Sequence, residues 1–249
     1  MDAPSQPSVD TVPPPRLSST VAVVTGGSRG IGLAIAAALV GRGARVVITG
    51  RDQAHVDKAA ATFRAGTVLP VRADVGRPEE AGLAITAAVE RFGGLDVLVN
   101  NAGVGRFVPV ADMAASDWQS VIDTNLSGVF YSCAAAIPHL RRRGAGWIIN
   151  ISSLAGKNPF AGGAAYCASK AGLNAFSEAL MQEVRYDNIR VSYIMPGSVA
   201  TGFGGPGGSG AADWKVAPED VADLVIELIT FPSRSLPSRI ELRPSRPRK

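Results

Sequence analysis

Three side chains in the second half of the chain have the types and the spacing that proton transfer needs. Tyr166 and Lys170 stand four residues apart, so on a helix both project from one face. A phenol has a pKa of about 10 and must be tuned to exchange a proton near neutral pH, and a neighbouring cation would stabilise the phenolate. Ser153 lies thirteen residues before Tyr166 and could orient a carbonyl oxygen. Such a trio suits protonation of the alkoxide that develops when hydride reduces a carbonyl.

A glycine-rich segment near the start of the chain has the composition of a phosphate-binding turn. The segment reads T-G-G-S-R-G-I-G over residues 25–32, between an apolar run and a helical pattern. Gly26, Gly30 and Gly32 allow a tight turn and a close approach of the backbone to a phosphate. The following helix N-terminus offers unpaired N–H groups and the positive end of its dipole. The spacing differs from G-x-G-x-x-G, because position 35 is Ile.

Short apolar runs alternate with longer Ala-rich patterns along the chain, which predicts alternating strands and helices. Strands are expected at 21–24, 45–48, 68–71, 95–99, 147–151, 191–195 and 239–242. Helices are expected at 31–40, 53–63, about 78–92, 116–140 with Ser116 as N-cap, 165–184 and from about 218 onward. The runs are apolar on both faces, as in a buried parallel sheet. We therefore expect a single-domain α/β fold, a Rossmann-type doubly wound sheet of about seven strands with helices on both faces.

Ligands bind such sheets beyond the C-terminal ends of the strands, and several short motifs stand there. Asn100-Asn-Ala-Gly103 follows the fourth predicted strand, and Pro196-Gly197 follows the sixth, with Thr201 four residues later. Asn125 lies in the segment D-T-N-L-S-G at 123–128. Together with the glycine-rich turn and the Ser-Tyr-Lys trio, these motifs resemble the short-chain dehydrogenase/reductase superfamily, in order from about Val21 to Thr201. The similarity includes 3-oxoacyl-carrier-protein reductases but does not single them out.

The resemblance implies an oxidoreductase that acts on CH–OH and C=O groups with a nicotinamide cofactor. It makes Tyr166 the acid/base, Lys170 the group that lowers its pKa and holds the ribose, and Ser153 the residue that polarises the substrate. The neighbouring Ser152 is the alternative to Ser153, but the thirteen-residue interval to Tyr166 favours Ser153. Asn125 would hold a water that links Lys170 to solvent. The cofactor would also contact residues that follow the strands: Gly26, Ser28, Arg29, Gly30, Ile31, Gly32, Arg51, Asp74, Val75, Asn101, Ala102, Gly103, Pro196, Gly197, Val199 and Thr201.

The residues after the second predicted strand favour NADP(H) over NAD. Gly50 stands where relatives that prefer NAD carry an acid, which would bond the ribose hydroxyls and repel a 2′-phosphate. Arg51 and Arg29 could instead grip that phosphate. Asp52 could be a ribose acid, but we interpret it as the start of the next helix, where acids are favoured. Asp74, with Val75 beside it, resembles the family's adenine-contacting acid.

Composition and charge exclude several other classes of protein. The formal charge is +4, but residues 234–249 alone carry +5, so the body has no basic stripe for nucleic acid. Cys133 and Cys167 form no paired framework, and no His/Cys cluster has metal-ligand spacing, so we expect no metal. No apolar stretch is long enough to span a membrane. A cytoplasmic protein is the default expectation.

The predicted boundaries are a disordered leader at 1–18, an oxidoreductase domain at 19–244 and a basic tail at 245–249. A mobile substrate lid is expected at about 201–217, where six glycines occur in residues 202–210. Phe203 and Trp214 would close over the nicotinamide end, with Phe107 and Phe160 as further walls, and the substrate would be an apolar ketone or alcohol. The end of the chain departs from the usual reductase ending. A homodimer or homotetramer is expected, and an inactive nucleotide-binding scaffold, or an isomerase on the same fold, is the alternative.

Overall fold

The computed structural model describes residues 17–203 and 213–247. Its centre is a parallel sheet of seven strands. In chain order the strands are Val21–Val24 (β1), Arg45–Gly50 (β2), Val68–Arg72 (β3), Val97–Asn100 (β4), Gly146–Ile151 (β5), Ile189–Pro196 (β6) and Arg239–Leu242 (β7). The expected fold class, a doubly wound Rossmann-type sheet, is confirmed.

The strand order β3-β2-β1-β4-β5-β6-β7 places the change of winding direction between β1 and β4. Val23 pairs with Val47 on one side and with Leu98 on the other, which fixes the register on both sides of β1. Because the connections leave in opposite directions from these two strands, a crevice opens beyond their C-terminal ends.

Eight helices cover the two faces of the sheet in the described part of the chain. They are Gly30–Gly41 (α1), Gln53–Ala60 (α2), Pro78–Ala81 (α3), Leu83–Phe92 (α4), Ala115–Ile122 (α5), Gly128–Arg143 (α6), Ala164–Val184 (α7) and Pro218–Thr230 (α8). Each strand of the centre is buried on both faces, as the continuous apolar runs predicted.

The two faces of β1 supply two separate apolar cores. Ala22 and Val24 pack with Ile35 of α1 and Val225 of α8 in one core. Val21 and Val23 face the other way, among residues of α4, α6 and α7 that include Leu173. Alternate side chains of a strand point to opposite faces, so a four-residue run anchors both layers.

The boundaries differ from the sequence expectation in a few places. The helix expected at 78–92 is divided in two at Gly82. The helix expected at 116–140 begins at Ala115, with Ala114 at the N-cap position and no side-chain cap, so the prediction that Ser116 caps it is wrong. A π-helical turn, Asp123–Ser127, then separates α5 from α6. Propensity and caps do not reveal such a turn, because it depends on contacts with other elements.

Most of the predicted leader, residues 1–16, lies outside the described residues, as do positions 204–212 of the expected lid and positions 248–249 of the tail. Within the described ranges, no helix is both long enough and apolar enough to cross a bilayer.

Candidate active site

A cavity of about 620 Å³ opens beyond the C-terminal ends of the strands, at the change of winding direction. Most of the residues predicted to bind a cofactor line it: Gly26, Ser28, Arg29, Gly30, Ile31, Arg51, Asp74, Val75, Asn101, Ala102, Gly103, Pro196, Val199 and Thr201. Ser153, Tyr166 and Lys170 line the same cavity. Motifs spread over about 175 residues of chain therefore meet at one edge of the sheet.

The glycine-rich turn forms the floor of the cavity between β1 and α1. Gly26 and Gly30 have φ angles of +64° and +54°, which side chains rarely adopt. A Cβ on Gly26 would lie 2.9 Å from the Ala102 Cα, so the turn packs directly on the loop that follows β4. Helix α1 has neither a side-chain cap nor an acid in its first turn. Its N-terminus is therefore suited to an anionic ligand.

Two side chains hold the turn to the loop after β4. The Thr25 hydroxyl accepts hydrogen bonds from the backbone N–H groups of Asn101 and Ala102, at 3.0 and 3.1 Å. The Asn101 amide in turn donates to the carbonyl oxygens of Thr25 and Gly26, at 2.9 and 3.1 Å. Four hydrogen bonds thus join the two motifs, which the sequence analysis described separately.

The residues after β2 form the end of the cavity where a ribose phosphate would lie. Gly50, Arg51 and Arg29 all line the cavity. A Cβ on Gly50 would lie 2.9 Å from Val56 Cγ2, so a side chain there would need the neighbours to move. The Asp52 carboxylate accepts a hydrogen bond from the His55 backbone N–H, at 3.1 Å, and caps α2. The sequence interpretation of Asp52 as a helix start therefore agrees with the structure.

The Ser-Tyr pair meets at the end of β5. Burial raises the pKa of the Tyr166 phenol, and a hydrogen bond from the Ser153 hydroxyl opposes this rise. The Ser153 hydroxyl is itself held by the Ala155 backbone N–H, which donates to it at 3.1 Å. Its neighbour Ser152 instead donates to Asn174 Oδ1, at 2.5 Å. Ser153, the serine that the spacing favoured, is therefore the one that contacts Tyr166.

Lys170 lies one helical turn after Tyr166 and is buried. Its ammonium donates a hydrogen bond of 2.8 Å to the Ile151 carbonyl oxygen, and burial lowers its pKa to about 8. Its Nζ lies 6.0 Å from the centroid of the Tyr166 ring. Burial dominates the pKa of the phenol and the ammonium is bonded to the main chain, so the expected lowering of the Tyr166 pKa by Lys170 stays a prediction.

Asn125 sits in the π-helical turn, fully buried, and does not line the cavity. Its Oδ1 accepts from the Val104 N–H at 2.8 Å, and its Nδ2 donates to the Val104 carbonyl at 2.9 Å and to Ser169 Oγ at 3.0 Å. Ser169 lies between Tyr166 and Lys170 on α7. The Asn125 amide thus joins the loop after β4 to α7, which carries the predicted proton-transfer residues, and its water-holding role stays a prediction.

Two further predicted contacts belong to the packing around the cavity rather than to its wall. A Cβ on Gly32 would collide with the Gly26 carbonyl oxygen, so this glycine keeps α1 close to the turn. The Gly197 N–H donates to the Leu242 carbonyl at 2.9 Å, which joins the end of β6 to β7. The sequence missed several lining residues, among them Thr49, Ala73, Val104, Thr124, Ile151, Ser198 and Lys215. Most of them lie at or near a strand end, whereas Thr124 lies in the π-helical turn and Lys215 lies shortly before α8.

The four aromatic residues expected around the substrate, Phe107, Phe160, Phe203 and Trp214, also line the cavity. Within the two described ranges, no group of three or more His, Cys, Asp or Glu residues could hold a metal ion.

Comparison with known proteins assigns this arrangement to a family. The family model described as short chain dehydrogenase matches residues 20–208. An uncharacterised oxidoreductase of Staphylococcus aureus (strain MW2) is 34% identical over 229 residues, covering 92% of this chain and 98% of the relative. A second uncharacterised oxidoreductase, from Staphylococcus saprophyticus, is 33% identical over 235 residues, covering 92% and 98%.

Solved structures give the same result. A metagenomic short-chain oxidoreductase in complex with NADP is 39% identical, with a TM-score of 0.79, covering 93% of this chain and 99% of that one. An alcohol dehydrogenase from the archaeon Thermococcus sibiricus, complexed with 5-hydroxy-NADP, is 28% identical, with a TM-score of 0.84 and coverage of 92% and 99%.

Proposed function

The chain belongs to the short-chain dehydrogenase/reductase superfamily, and from that premise we propose that it is an NADPH-dependent reductase of ketones that also oxidises secondary alcohols. A bound nicotinamide would supply or accept the hydride, and Tyr166 would exchange the proton with the substrate oxygen. The observation that carries the proposal is the meeting of the glycine turn, the two arginines and the Ser153–Tyr166–Lys170 group in one cavity.

The residues present fit a dinucleotide. The cradle formed by Gly26 and Gly30 leaves the space that a Cβ would fill and presents the uncapped N-terminus of α1, which suits a pyrophosphate. Asp74 and Val75 line the cavity after β3, where an adenine would lie. The loop after β4 and the Pro196 end of β6 would flank the rest of the cofactor. When bound, NADPH supplies the hydride.

The charges after β2 support NADPH rather than NADH. Arg29 and Arg51 both line this end of the cavity, and an acid at position 50 is absent because the residue is Gly. Asp52, the nearest acid in sequence, is used as the cap of α2. Two guanidinium groups would bind a 2′-phosphate through charge-assisted hydrogen bonds. Both structures described above hold an NADP-type ligand, which supports the same choice.

The proton-transfer group works through three side chains. The Ser153 hydroxyl contacts both Tyr166 and the space where a carbonyl oxygen would lie, so it orients that oxygen. Tyr166 donates its proton to the oxygen as negative charge develops. Its raised pKa keeps the phenol protonated at neutral pH, the state that reduction needs. Lys170, with a pKa of about 8, is positively charged at neutral pH and lies one turn away, where it would bond a ribose hydroxyl and favour the phenolate left behind.

The test is a panel of ketones and aldehydes incubated with NADPH, and in parallel with NADH, while the absorbance of the reduced nicotinamide is followed. The proposal expects oxidation of NADPH by at least one ketone and slower oxidation of NADH. Binding of NADPH with no turnover on any member of a broad panel would favour the alternative, an inactive scaffold. A protein that binds neither cofactor would contradict the proposal.

A further inference from the structure

Aromatic side chains are concentrated around the proposed proton donor. The chain has eight Phe, four Tyr and three Trp. Five of these line the single cavity described above: Phe107, Phe160, Tyr166, Phe203 and Trp214. They come from four separate segments, so no local sequence pattern brings them together.

Three phenylalanines form a chain of ring contacts with Tyr166. Phe107 meets the Tyr166 ring edge-on, with centroids 5.7 Å apart, and Phe203 lies on it at 5.6 Å with a tilt of 52°. Phe160 extends the cluster through Phe107, at 5.8 Å. These distances and tilts are in the range in which aromatic rings attract one another beyond simple burial.

The rings are incompletely buried although they are large and apolar. Phe107, Phe160 and Phe203 are 45%, 48% and 41% exposed, and all three face the cavity. Exposed apolar surface of this extent, gathered in one place, marks a binding site for an apolar ligand. A flat ring inserted among them would bury these faces and add ring-to-ring contacts that a saturated group cannot make.

Phenylalanine rings occupy the space in which a side chain at Gly105 or Gly163 would lie. A Cβ on Gly163 would lie 2.6 Å from Phe160 Cε2, and a Cβ on Gly105 would lie 2.8 Å from Phe107 Cζ and 3.0 Å from Phe203 Cε1. Neither glycine has a positive φ, so both positions accept alanine without backbone strain. What alanine would change is the position of the neighbouring ring. Gly105 and Gly163 therefore control the shape of the aromatic cluster.

We infer that the cavity selects ketones that carry an aromatic ring close to the carbonyl group, and that Phe107, Phe160 and Phe203, seated by Gly105 and Gly163, are the residues that determine this selectivity. The inference rests on the proposed function. The reaction would take a hydride from NADPH and a proton from Tyr166 and give a secondary alcohol and NADP⁺. The Tyr166 phenolate that remains would regain its proton from solvent.

The test compares phenylacetone with cyclohexylacetone as substrates of the full-length protein and NADPH. The two ketones have the same skeleton, and a methylene separates the ring from the carbonyl in both, so their intrinsic reactivity is similar. We expect kcat/KM for phenylacetone to be about five- to tenfold higher, the size of one or two aromatic contacts. Calorimetric titration of the protein–NADP⁺ complex with each ketone measures its binding affinity, a second readout that needs no turnover.

Variants locate the source of the preference. Phe160→Leu keeps an apolar side chain but removes a ring, and Gly163→Ala displaces that ring. Both should bring the ratio of the two kcat/KM values to less than half of the wild-type ratio. Gly41→Ala is the matched control, because nothing lies within 4 Å of a Cβ there, and it should keep the wild-type ratio.

The results of these measurements distinguish failure of the inference from failure of the proposed function. A ratio of one or less in the wild-type protein, or a ratio that Phe160→Leu and Gly163→Ala leave unchanged, overturns the inference while the proposed function stands. Failure of NADPH oxidation with every carbonyl compound overturns the proposed function. In that case equal calorimetric affinities for the two ketones would overturn the inference as well, and tighter binding of phenylacetone would support it.

Discussion

Ser152 and Ser153 are adjacent at the end of β5, and their hydroxyls have different partners. The Ser152 hydroxyl bonds Asn174 of α7, whereas the Ser153 hydroxyl bonds Tyr166. Successive side chains of an extended segment point to opposite sides, so a shift of one residue would exchange the Tyr166 contact for the Asn174 contact, although both serines line the cavity. The chemistry at this site therefore depends on which of two adjacent positions carries the serine, as well as on the residue type.

Replacement of Tyr166 by Phe tests the proton donor directly. Tyr166→Phe keeps the ring that packs on Phe107 and Phe203 but removes the hydroxyl. We expect kcat to fall by about 10²–10⁴, with NADPH affinity almost unchanged, because loss of a general acid slows only the chemical step. Stopped-flow reduction and NADPH fluorescence titration measure the two effects. Tyr186→Phe, at an exposed position, is the control. Wild-type turnover in Tyr166→Phe would exclude the assigned role.

Arg51 provides a test of cofactor choice. Arg51→Ala should raise KM for NADPH by roughly 10- to 100-fold and leave KM for NADH within about twofold, since a lost charge-assisted contact costs about 1.5–3 kcal/mol. Steady-state kinetics with both cofactors give the comparison. Arg91→Ala, on an exposed part of α4, serves as control. Equal effects on the two cofactors would mean that Arg51 does not contact the 2′-phosphate.

Burial of Lys170 makes stability depend on pH. Its pKa is about 8 in the fold against 10.5 in the unfolded chain, so between these values the unfolded state binds more protons. The contribution of Lys170 to stability should therefore rise as pH increases through this window. Lys170→Met should remove this pH-dependent rise. Half of the free-energy cost of burying the ammonium that the pKa difference implies is about 2 kcal/mol. Relief of that cost should raise Tm at pH 7 by roughly 4–8 °C. Calorimetric scans from pH 7 to 10 measure it, with Lys58→Met on α2 as control. A lower Tm at pH 7 in Lys170→Met would contradict this account.

At the scale of elements, the π-helical turn between α5 and α6 shows how an irregular segment serves the site. The turn places Asn125 where its amide reaches both Val104 and Ser169. A regular α-helix through Asp123–Ser127 would point the Asn125 side chain in a different direction around the helix axis. The buried amide would then lose its partners, at a cost comparable to a lost hydrogen bond. The contacts after β4 and on α7 therefore account for a turn that helix propensity alone disfavours.

The edge strand β7 is anchored by a charged cluster. Glu241 accepts from Lys157 at 2.6 Å and from Arg243 at 2.8 Å, and these contacts lower its pKa to about 2. Because the unfolded pKa is 4.5, this stabilisation is present above about pH 4.5 and is lost as pH falls towards 2. Glu241→Gln should lower Tm at pH 7 by about 1–3 °C.

The pH dependence distinguishes this cluster from a simple packing contact. The difference in Tm between wild type and Glu241→Gln should narrow steadily as pH falls from 5 to 2, as measured by thermal unfolding. Glu227→Gln, exposed on α8, should show no such trend. A difference that stays constant with pH would show that the ion pairs do not contribute.

At the scale of the whole molecule, the proposed cofactor site draws on both halves of the sheet. The cavity is lined by residues after β1, β2 and β3 and by residues after β4, β5 and β6. A ligand that binds only when these halves are in place stabilises the folded state as a whole. The expected homodimer or homotetramer stays a prediction.

Cofactor binding should therefore raise the global unfolding temperature. At a concentration 100 times its Kd, NADPH should stabilise the protein by about 2.7 kcal/mol, which corresponds to roughly 5–10 °C in a domain of this size. Differential scanning fluorimetry measures the shift. NADH at the same concentration should give a smaller one, and Arg51→Ala should bring the two shifts close together. Equal shifts for both cofactors in the wild-type protein would count against NADPH specificity.

The sequence by itself determined the fold class, and it predicted the residues of the proposed proton-transfer group, which the structure brings into one cavity. These features follow from local patterns: apolar runs that need burial on both faces, glycines after a strand, and the four-residue spacing that puts Tyr166 and Lys170 on one face of α7. The same reasoning chose Ser153 over Ser152 and made Asp52 a helix start, in agreement with the structure.

Only the tertiary structure decided which distant segments meet. The strand order brings Phe107, Phe160 and Phe203 to Tyr166, directs the Asn125 amide to Val104 and Ser169, and makes Gly32 a packing residue instead of a cavity wall. It also sets the burial that raises the pKa of Tyr166 and lowers that of Lys170. Burial and long-range contact depend on how the layers pack around the sheet, and residue spacing along one chain carries no direct record of that packing.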